Sequence, residues 1–284
     1  MNNSVNKSLD CAGRLLDLGR PNVMGILNVT PDSFSDGGRY NTFDRALQHA
    51  REMVDAGAGI IDIGGESTRP GAQIISEAEE VDRVVPVIEA ISKEFDIVVS
   101  VDTSSAAVIR EATSAGAGIV NDVRALCRPG ALEAAAASQV PVILMHSLVE
   151  QPESGFVPAY ENVVDEVSGY LASRAELCQK AGIAKEKIIL DPGFGGGMFG
   201  KTPAFDLQMI KRFSEFHRLG YPVLAGVSRK SFIGAVLENT ADERLSASLA
   251  VALLLAQAGA QIIRVHDVKE TVDVLKIANA VAAA

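Results

Sequence analysis

The sequence predicts an α/β fold, namely a single (β/α)₈ barrel of the TIM type with a short N-terminal extension. Eight short apolar runs rich in β-branched residues alternate along the 284 residues with segments of helical periodicity. The apolar runs are continuous, which is typical of parallel strands covered on both faces. Because no linker or shift in composition divides the chain, eight strand and helix units fit one closed barrel better than an open doubly wound sheet.

Each predicted strand is an apolar run that stops at polar or turn-forming residues. In chain order, we predict strands over residues 23–28, 59–65, 97–102, 118–122, 141–146, 188–191, 222–228 and 261–266. The segments between and after them carry apolar residues at spacings of three and four, and they predict helices over residues 43–56, 76–95, 105–115, 130–139, 160–181, 205–219, 242–258 and 268–282. Glycines that precede five strands are typical of left-handed C-terminal helix caps, at Gly57, Gly116, Gly182, Gly220 and Gly259.

The chain is predicted to divide near residue 22. Residues 1–22 form an extension, which we interpret as a hairpin that closes the bottom of the barrel, and residues 23–284 form the barrel itself. The most membrane-like run covers residues 245–263, but Ser246, Ser248 and Gln257 interrupt it, so a buried helix followed by a strand is the better interpretation.

Composition limits the classes of partner and the compartment. A net charge of −10 without any basic run excludes nonspecific binding to nucleic acid or to an anionic membrane. The N-terminus lacks the apolar core of an export signal. Three widely separated cysteines match no metal-site spacing, and we expect them to be reduced thiols in a cytoplasmic protein.

Polar residues stand at the end of every predicted strand. They are Asn28, the segment 66–70, Asp102 with Thr103, Asn121 with Asp122, His146, Asp191, the segment 228–231 and the segment 264–267. In barrels of this kind the active site lies at the carboxyl ends of the strands. Eight polar strand ends on one rim therefore predict a functional site there.

One part of this rim predicts an anion site. The eighth strand lies between the seventh and the first in a closed barrel, so Arg264, His266, Lys230 and Asn28 are expected to be neighbours. Arginine offers a planar fork of donors suited to phosphate oxygens. The alternative is that Arg264 and Asp267 pair with other strand ends and bind no ligand.

A second part of the rim is rich in hydrogen-bond acceptors. Asp102, Asn121 and Asp191 together suit a heterocycle that carries amino and ring N–H donors, and Lys230 adds a donor. The alternative is a structural charge network below the rim, and Asp62 and Asp122 are interpreted as members of such a network.

A metal site built by the protein alone is not predicted, because His49 and His217 lie on helices and no clustered ligand motif occurs. Mg²⁺ often takes one or two protein oxygens together with phosphate oxygens from a substrate. Asn28, with Asp32 and Asp36 in the following loop, could contact such an ion.

Eight segments of the chain match one known family in order and spacing. They are residues 24–38, Asp62 to Gly71, Ser100-Val101-Asp102-Thr103, Asn121-Asp122, Leu144-Met145-His146, Leu190 to Gly195, Ser228-Arg229-Lys230-Ser231 and Arg264-Val265-His266-Asp267. From about residue 23 onward, the chain resembles the dihydropteroate synthases of folate biosynthesis. These transferases join 6-hydroxymethyl-7,8-dihydropterin diphosphate to 4-aminobenzoate and release pyrophosphate.

The resemblance implies a role for each matching residue. Catalytic residues would be Asn28, Asp102, Lys230, Arg264 and His266. The pterin would contact Asp102, Asn121, Met145, Asp191 and Lys230. The diphosphate would contact Asn28, Thr68, Arg69, Arg264 and His266, with Asn28 on Mg²⁺. The 4-aminobenzoate would contact Thr68, Pro70, Phe199, Arg229 and Ser231. The family is usually homodimeric, and the loops at 28–40 and 68–75 would be lids that exclude water.

Two stretches depart from the family pattern. Ser147-Leu148-Val149 replaces the usual Met-Gln-Gly after the fifth strand, and the loop from Gly193 to Lys201 is about three residues longer than usual. We predict normal pterin binding but altered discrimination between 4-aminobenzoate and sulfonamides. Two alternatives share the barrel: a pterin-binding methyltransfer domain, which has no use for the anion site, and a noncatalytic pterin-binding relative.

Overall fold

Eight parallel strands form the barrel in a computed structural model of the chain, which describes residues 8–30, 39–66, 75–148, 158–195 and 199–284, with only the backbone at 39–42. The strands follow the order β8-β7-β6-β5-β4-β3-β10-β9, and every neighbouring pair in this sheet is parallel. A parallel bridge between Leu190 of β8 and Val223, directly before β9, joins the two ends of this order, with Leu190 N donating to Pro222 O at 2.9 Å. The structure thus has the predicted eight-stranded barrel.

The elements have the following bounds. The strands are β1 Ser8–Cys11, β2 Arg14–Asp17, β3 Asn22–Asn28, β4 Ile60–Gly64, β5 Val98–Asp102, β6 Ile119–Asp122, β7 Val142–Met145, β8 Ile188–Asp191, β9 Leu224–Ala225 and β10 Ile262–Val265. The helices are α1 Arg39–Ala56, α2 Glu77–Glu94, α3 Ala106–Ser114, α4 Ala131–Ser138, α5 Val163–Lys180, α6 Pro203–Lys211, α7 Ser231–Leu237, α8 Leu245–Gln257 and α9 Val268–Ala282.

Local signals in the sequence explain several of these bounds. Ser76, Ser105 and Asn162 each accept a hydrogen bond from a backbone N–H in the first turn of α2, α3 and α5. The five glycines predicted as C-terminal caps all have positive φ, between 74° and 115°. The prediction of left-handed caps is therefore confirmed.

An antiparallel hairpin of β1 and β2 covers the amino-terminal end of the barrel. Each of the eight barrel strands contributes one buried apolar residue to a layer there, namely Met24, Ile60, Val98, Ile119, Ile143, Ile189, Leu224 and Ile262. Leu9, Cys11, Leu16 and Leu18 of the hairpin and its flank pack on this layer. Apolar burial closes this end, and the polar rim lies at the other.

The structure differs from the predicted elements in two places after β8. The helix predicted over 205–219 is α6 followed by a 3₁₀ helix at Phe213–Leu219, where Phe213 and Phe216 are buried at the three-residue spacing of a 3₁₀ turn. The predicted strand 222–228 is only the two-residue β9, and α7 follows it. A helix of seven residues makes about two turns, which is too short to produce a clear periodicity.

The membrane-like run forms α8 followed by β10, as predicted. Among the helices of the described ranges, none has both the length and the apolar content needed to cross a membrane.

Candidate active site

The register of the parallel strands brings the first predicted site residues to one level. Gly64 pairs with Asn28 on one side and with Asp102 on the other, and Asp102 pairs with Asn121. A Cβ atom on Gly64 would lie 3.6 Å from Asp102 Cβ and 3.7 Å from Asn28 Oδ1. The side chains of Asn28 and Asp102 therefore face each other across a residue that leaves room for them.

Arg264 reaches across the barrel end and binds two carboxylates. Its Nε donates to Asp62 Oδ2 at 2.6 Å, and its Nη2 donates to Asp102 Oδ2 at 2.7 Å. Asp62 is fully buried. This is the pairing with other strand ends that the sequence left open for Arg264, so the guanidinium is held by the protein before any ligand arrives.

Because Arg264 is shared between two carboxylates, its positive charge only partly neutralises the negative charge of Asp102. Burial raises the pKa of Asp102 to about 7, against the charge of Arg264, and Asp62 raises it further. Burial opposes the charge on Arg264, but the two carboxylates outweigh it and raise the pKa of the guanidinium. Arg264 is therefore charged throughout the physiological range, whereas Asp102 titrates within it.

Asp191 ends β8 and Lys230 follows β9, and β9 pairs directly with β10, the strand that carries Arg264. Burial raises the pKa of Asp191 to about 6, while the Gly193 N–H, which donates to its Oδ1 at 2.7 Å, lowers it. Burial and then Arg264 lower the pKa of Lys230. The Lys230 ammonium lies 5.0 Å from the centroid of the Phe199 ring. Phe199, which is predicted to contact the aminobenzoate, thus lies next to Lys230, which is predicted to contact the pterin.

The loop after β8 runs close over the end of β7. Gly193 has φ 73°, and a Cβ atom there would lie 2.2 Å from His146 O and 3.1 Å from Met145 Cγ. Met145 itself is buried. Only a glycine permits this approach, which sets Met145 beneath the loop that carries Asp191 at its start.

A buried lysine supports the same loop and was assigned no role from the sequence. Lys201 has no exposed surface, and its Nζ lies 2.8 Å from His146 Nδ1 and 3.3 Å from His146 O. Burial, and then Lys201, lowers the pKa of His146 to about 2, so the imidazole is neutral and accepts at Nδ1. The motif that ends in Lys201 was a usable signal, because a lysine after a glycine-rich loop at a strand end lies near the rim.

His266 lies at the rim, beside Arg264 in sequence, and contacts Ser228. The His266 backbone N–H donates to Ser228 Oγ at 3.2 Å, and the same oxygen lies 3.2 Å from Nδ1. Although part of the residue is exposed, partial burial of the imidazole and the charges of Arg264 and Lys230 lower the pKa of His266. In the tautomer that accepts at Nδ1 from the Ser228 hydroxyl, Nε2–H is the donor of the neutral ring.

Arg229 is held by Asp267 in a two-pronged ion pair. Its Nε and Nη2 donate to the two carboxylate oxygens at 2.9 and 2.5 Å. Its backbone has φ 56°, and its N–H donates to Ser248 Oγ at 2.9 Å. Ser231 Oγ, at the start of α7, donates to Gly195 O at 3.4 Å. Asp267 thus pairs with Arg229 at another strand end, as the alternative interpretation predicted.

Some predicted site residues lie outside the described residues. These are Thr68, Arg69 and Pro70, the loop carboxylates Asp32 and Asp36, most of the two predicted lids at 28–40 and 68–75, and residues 196–198 of the lengthened loop. Within the described ranges, no three His, Cys, Asp or Glu side chains are grouped to hold a metal ion.

Comparison with known proteins identifies the family. The family described as "Pterin binding enzyme" matches residues 24–266. The dihydropteroate synthase of Escherichia coli K12 is 53% identical over 268 residues, which are 94% of each chain. A Yersinia pestis dihydropteroate synthase in complex with a sulfonamide drug superposes with TM-score 0.91 at 53% identity, over 98% of this chain and 100% of that one.

A Xanthomonas albilineans dihydropteroate synthase in complex with 7,8-dihydropteroate gives TM-score 0.88 at 45% identity, over 98% of this chain and 99% of that one. These similarities run through the whole barrel and include every strand end that contributes to the rim. The chain therefore belongs to the dihydropteroate synthase family of pterin-binding enzymes.

Proposed function

We propose that the chain catalyses the dihydropteroate synthase reaction, in which 6-hydroxymethyl-7,8-dihydropterin diphosphate and 4-aminobenzoate give 7,8-dihydropteroate and pyrophosphate. One observation carries this proposal, namely that acceptors and cations share one rim: Asp102 and Asn121 lie on the network of Arg264, and Asp191 lies near Lys230. The product complex of the Xanthomonas relative supports the same product here.

The pterin is proposed to lie between the acceptors and Met145. Asp102, Asn121 and Asp191 accept from its N–H groups, and Lys230 donates to its acceptor atoms. Met145 is buried beneath Gly193 and offers an apolar surface for the flat ring. Because each acceptor is already held by a neighbour, this side of the pocket is ordered before the ligand binds.

The diphosphate is proposed to lie over Asn28, Arg264 and His266, together with Thr68 and Arg69 of the undescribed loop. Arg264 supplies the positive charge, and the neutral His266 supplies an N–H from Nε2. Asp62 and Asp102 use two of the five N–H donors of Arg264, so the other donors can bind a phosphate oxygen while both ion pairs stay intact.

Magnesium is proposed as the cofactor, with Asn28 as its protein ligand. The Asn28 amide oxygen lies beside Gly64 at the strand ends, and an oxygen ligand of this kind suits Mg²⁺. When bound, the ion would supply positive charge to the departing pyrophosphate. The test is pyrophosphate release before and after chelation, with pterin binding measured in parallel as the control.

The aminobenzoate is proposed to lie beside Phe199, Arg229 and Ser231, with Thr68 and Pro70 from the undescribed loop. Phe199 offers an aromatic face near Lys230. Arg229 is already paired with Asp267, so it attracts a ligand carboxylate less strongly than an unpaired arginine would. Sulfonamides, which the Yersinia relative binds, are proposed to occupy the same side.

The chemistry proposed for these residues is leaving-group departure. The bond between the pterin methylene carbon and the diphosphate oxygen breaks, and the oxygen keeps the electron pair. Arg264 and the His266 N–H stabilise the charge that develops on this oxygen. The aromatic amine then attacks the methylene carbon and loses a proton, so no protein nucleophile is required. The two loops at 28–40 and 68–75 are proposed as lids that keep water from this carbon.

Pyrophosphate release tests the proposed reaction directly. The purified protein is incubated with the pterin diphosphate, 4-aminobenzoate and Mg²⁺, and pyrophosphate and dihydropteroate are both measured. We expect equal amounts of the two products and no dihydropteroate when 4-aminobenzoate is omitted. Intact pterin binding without pyrophosphate release would instead favour the noncatalytic relative, and methyl transfer to a pterin would favour the methyltransfer domain.

A homodimer in the cytoplasm is also proposed. The thirteen-residue helix α8 is almost entirely apolar yet buries only Ser248, Ala252 and Leu255, and Leu254 on it is 56% exposed. Val236, on α7, the helix that precedes α8 in the chain, is 59% exposed. A second copy would cover these apolar side chains, and light scattering tests the mass. The cysteines in the described residues are unpaired, which agrees with a reducing compartment.

A further inference from the structure

A single oxygen atom of Asp62 binds two residues of the proposed site. Its Oδ2 accepts from Arg264 Nε at 2.6 Å and from Asn121 Nδ2 at 3.0 Å. Asp62 is fully buried on β4, and Asn121, at the end of β6, is 4% exposed. The two proposed halves of the site, diphosphate and pterin, therefore meet at one atom of a residue that the sequence marked only as structural.

This contact fixes which end of the Asn121 amide faces the pocket. An ionised carboxylate accepts hydrogen bonds and donates none, so only the NH₂ end of Asn121 can face Asp62. The amide group is flat, and its nitrogen and oxygen lie on opposite sides of the Cβ–Cγ bond axis. The carbonyl oxygen of Asn121 is therefore turned away from Asp62, as an acceptor.

Charge compensation makes the arrangement durable. Arg264 is bound by Asp62 and by Asp102, so the carboxylate that orients Asn121 is itself held by a buried cation. Rotation of the Asn121 amide would place its oxygen against Asp62 Oδ2 and leave two acceptors facing each other without a proton. The protein thus fixes the direction of the amide before any ligand is bound.

We propose that Asp62 is a positioning residue that sets the substrate specificity of the pterin pocket. By binding the Asn121 NH₂ group, it presents the Asn121 oxygen to the exocyclic amino group of the pterin. It therefore favours a 2-amino pteridine over a 2-oxo pteridine, in which an acceptor replaces that donor. The identity of the ligand rests on the proposed function, whereas the direction of the amide rests on the contacts of Asp62.

Two substitutions separate this role from a general structural one. Asp62→Ala removes the acceptor, so Asn121 can rotate and offer either its oxygen or its NH₂ group to the ligand. In Asp62→Asn, Arg264 can only donate and therefore holds the amide oxygen at the position of Oδ2, where it also accepts from Asn121, so the direction of the Asn121 amide is retained although the charge is lost. Ser100→Ala is the matched control, because Ser100 is the buried register partner of Asp62 on β5.

The experiment measures the binding of 6-hydroxymethylpterin and of its 2-oxo analogue, 6-hydroxymethyllumazine, by calorimetry. We expect Asp62→Ala to reduce the preference for the pterin about tenfold or more, and Asp62→Asn and Ser100→Ala to keep it within about threefold. A folded Asp62→Ala protein with the preference of the unsubstituted protein would overturn the proposal. So would an equal loss of preference in Asp62→Ala and Asp62→Asn.

A second variant protects the test against unfolding. If Asp62→Ala does not fold, Asp62→Ser replaces it, because a hydroxyl on this shorter side chain cannot reach both donors, and the same loss of preference is expected. Pyrophosphate release by the unsubstituted protein is measured alongside. Its absence would count against the proposed reaction, whereas a retained preference in the Asp62 variants would count against the role of Asp62.

Discussion

Lys201 Nζ and His146 Nδ1 form a hydrogen bond of 2.8 Å inside the protein, between the loop that follows β8 and the end of β7. Neither residue was assigned to a ligand, yet each lies close in sequence to a residue that was. His146 follows Met145, and Lys201 is two residues from Phe199. Burial lowers the pKa of Lys201 to about 7, and Asp206 and Asp191 act to raise it. The pair therefore joins the proposed pterin side to the proposed aminobenzoate side.

Replacing Lys201 by methionine should destabilise the fold. Lys201→Met keeps the apolar stem but leaves His146 Nδ1 without its donor, and a buried acceptor without a partner costs about 1–3 kcal/mol. Denaturant unfolding, read from the midpoint at an unchanged slope, measures the loss. Lys211→Met is the matched control, because Lys211 is exposed at the end of α6. Equal losses in the two variants would contradict the importance of the buried pair.

Gly193 should tolerate alanine much less well than another glycine of similar backbone. Gly193 and Gly182 both have positive φ, 73° and 99°, so alanine carries about 1–2 kcal/mol of backbone strain at either position. A Cβ atom at Gly182 has no neighbour within 4 Å, whereas at Gly193 it would meet His146 O at 2.2 Å. We expect Gly193→Ala to lose more stability than Gly182→Ala, and to weaken pterin binding. A similar loss of stability in both would show that the loop can move away from β7.

The barrel and the membership of its rim could be predicted from sequence for a physical reason. Strand and helix periodicities can be recognised in short stretches of sequence. In a parallel barrel the carboxyl ends of all strands lie at the same end, so a residue at the end of a predicted strand can be placed on the rim. This places Asn28, Asp102, Asn121, Asp191 and Arg264 together. Hydrogen-bond partners can be far apart in the sequence, and the periodicity of apolar residues does not reveal them.

Two residues show this limit. Lys201 meets His146 across 55 positions, by way of a loop whose path depends on Gly193. Asp62 lies within a predicted strand, two positions before Gly64, and the pattern indicates that it is buried but not that its Oδ2 binds both Arg264 and Asn121. From the sequence, the rim was predicted to have an anion side and a separate pterin side. In the structure, the contacts of Arg264 link it to both.

Pterin affinity should fall as the pH is lowered from about 7.5 to 5. Burial raises the pKa values of Asp102 and Asp191 to about 7 and about 6, and each must be ionised to accept from the N–H groups of the pterin. Protonation removes first one acceptor and then the other, so the affinity is expected to fall by up to about tenfold per pH unit for each carboxylate. Calorimetric titration with 6-hydroxymethylpterin measures this.

The Asp191→Asn variant assigns the two steps. It should bind the pterin more weakly and lose the step near pH 6, while the step near pH 7 remains. Affinity that is constant between about pH 5 and 7.5 would exclude these carboxylates as the acceptors.

Removal of Arg264 should destabilise the protein in a pH-dependent way. Arg264→Ala leaves the carboxylates of Asp62 and Asp102 without their shared cation, which typically costs about 3–5 kcal/mol. Protonation of Asp102 relieves the repulsion, so the loss should be larger at about pH 8 than at about pH 6. Denaturant unfolding at both values tests this. Arg51→Ala is the control, because the Arg51–Glu94 pair is largely exposed, and its effect should be small at either pH.

The lengthened loop should alter discrimination between 4-aminobenzoate and sulfonamides. It begins at Gly193, which is fixed over β7, and it ends at Phe199 and Lys201, both buried. The extra residues at 196–198 lie between these ends, next in sequence to Phe199, so we predict that they act on the aminobenzoate side. Insertion into a loop costs little stability. Deleting residues 196–198 should therefore change the ratio of sulfonamide inhibition to aminobenzoate affinity while leaving pterin affinity unchanged. Inhibition assays on the intact and shortened proteins measure the ratio, and equal ratios would mean that the added residues lie away from the bound aminobenzoate.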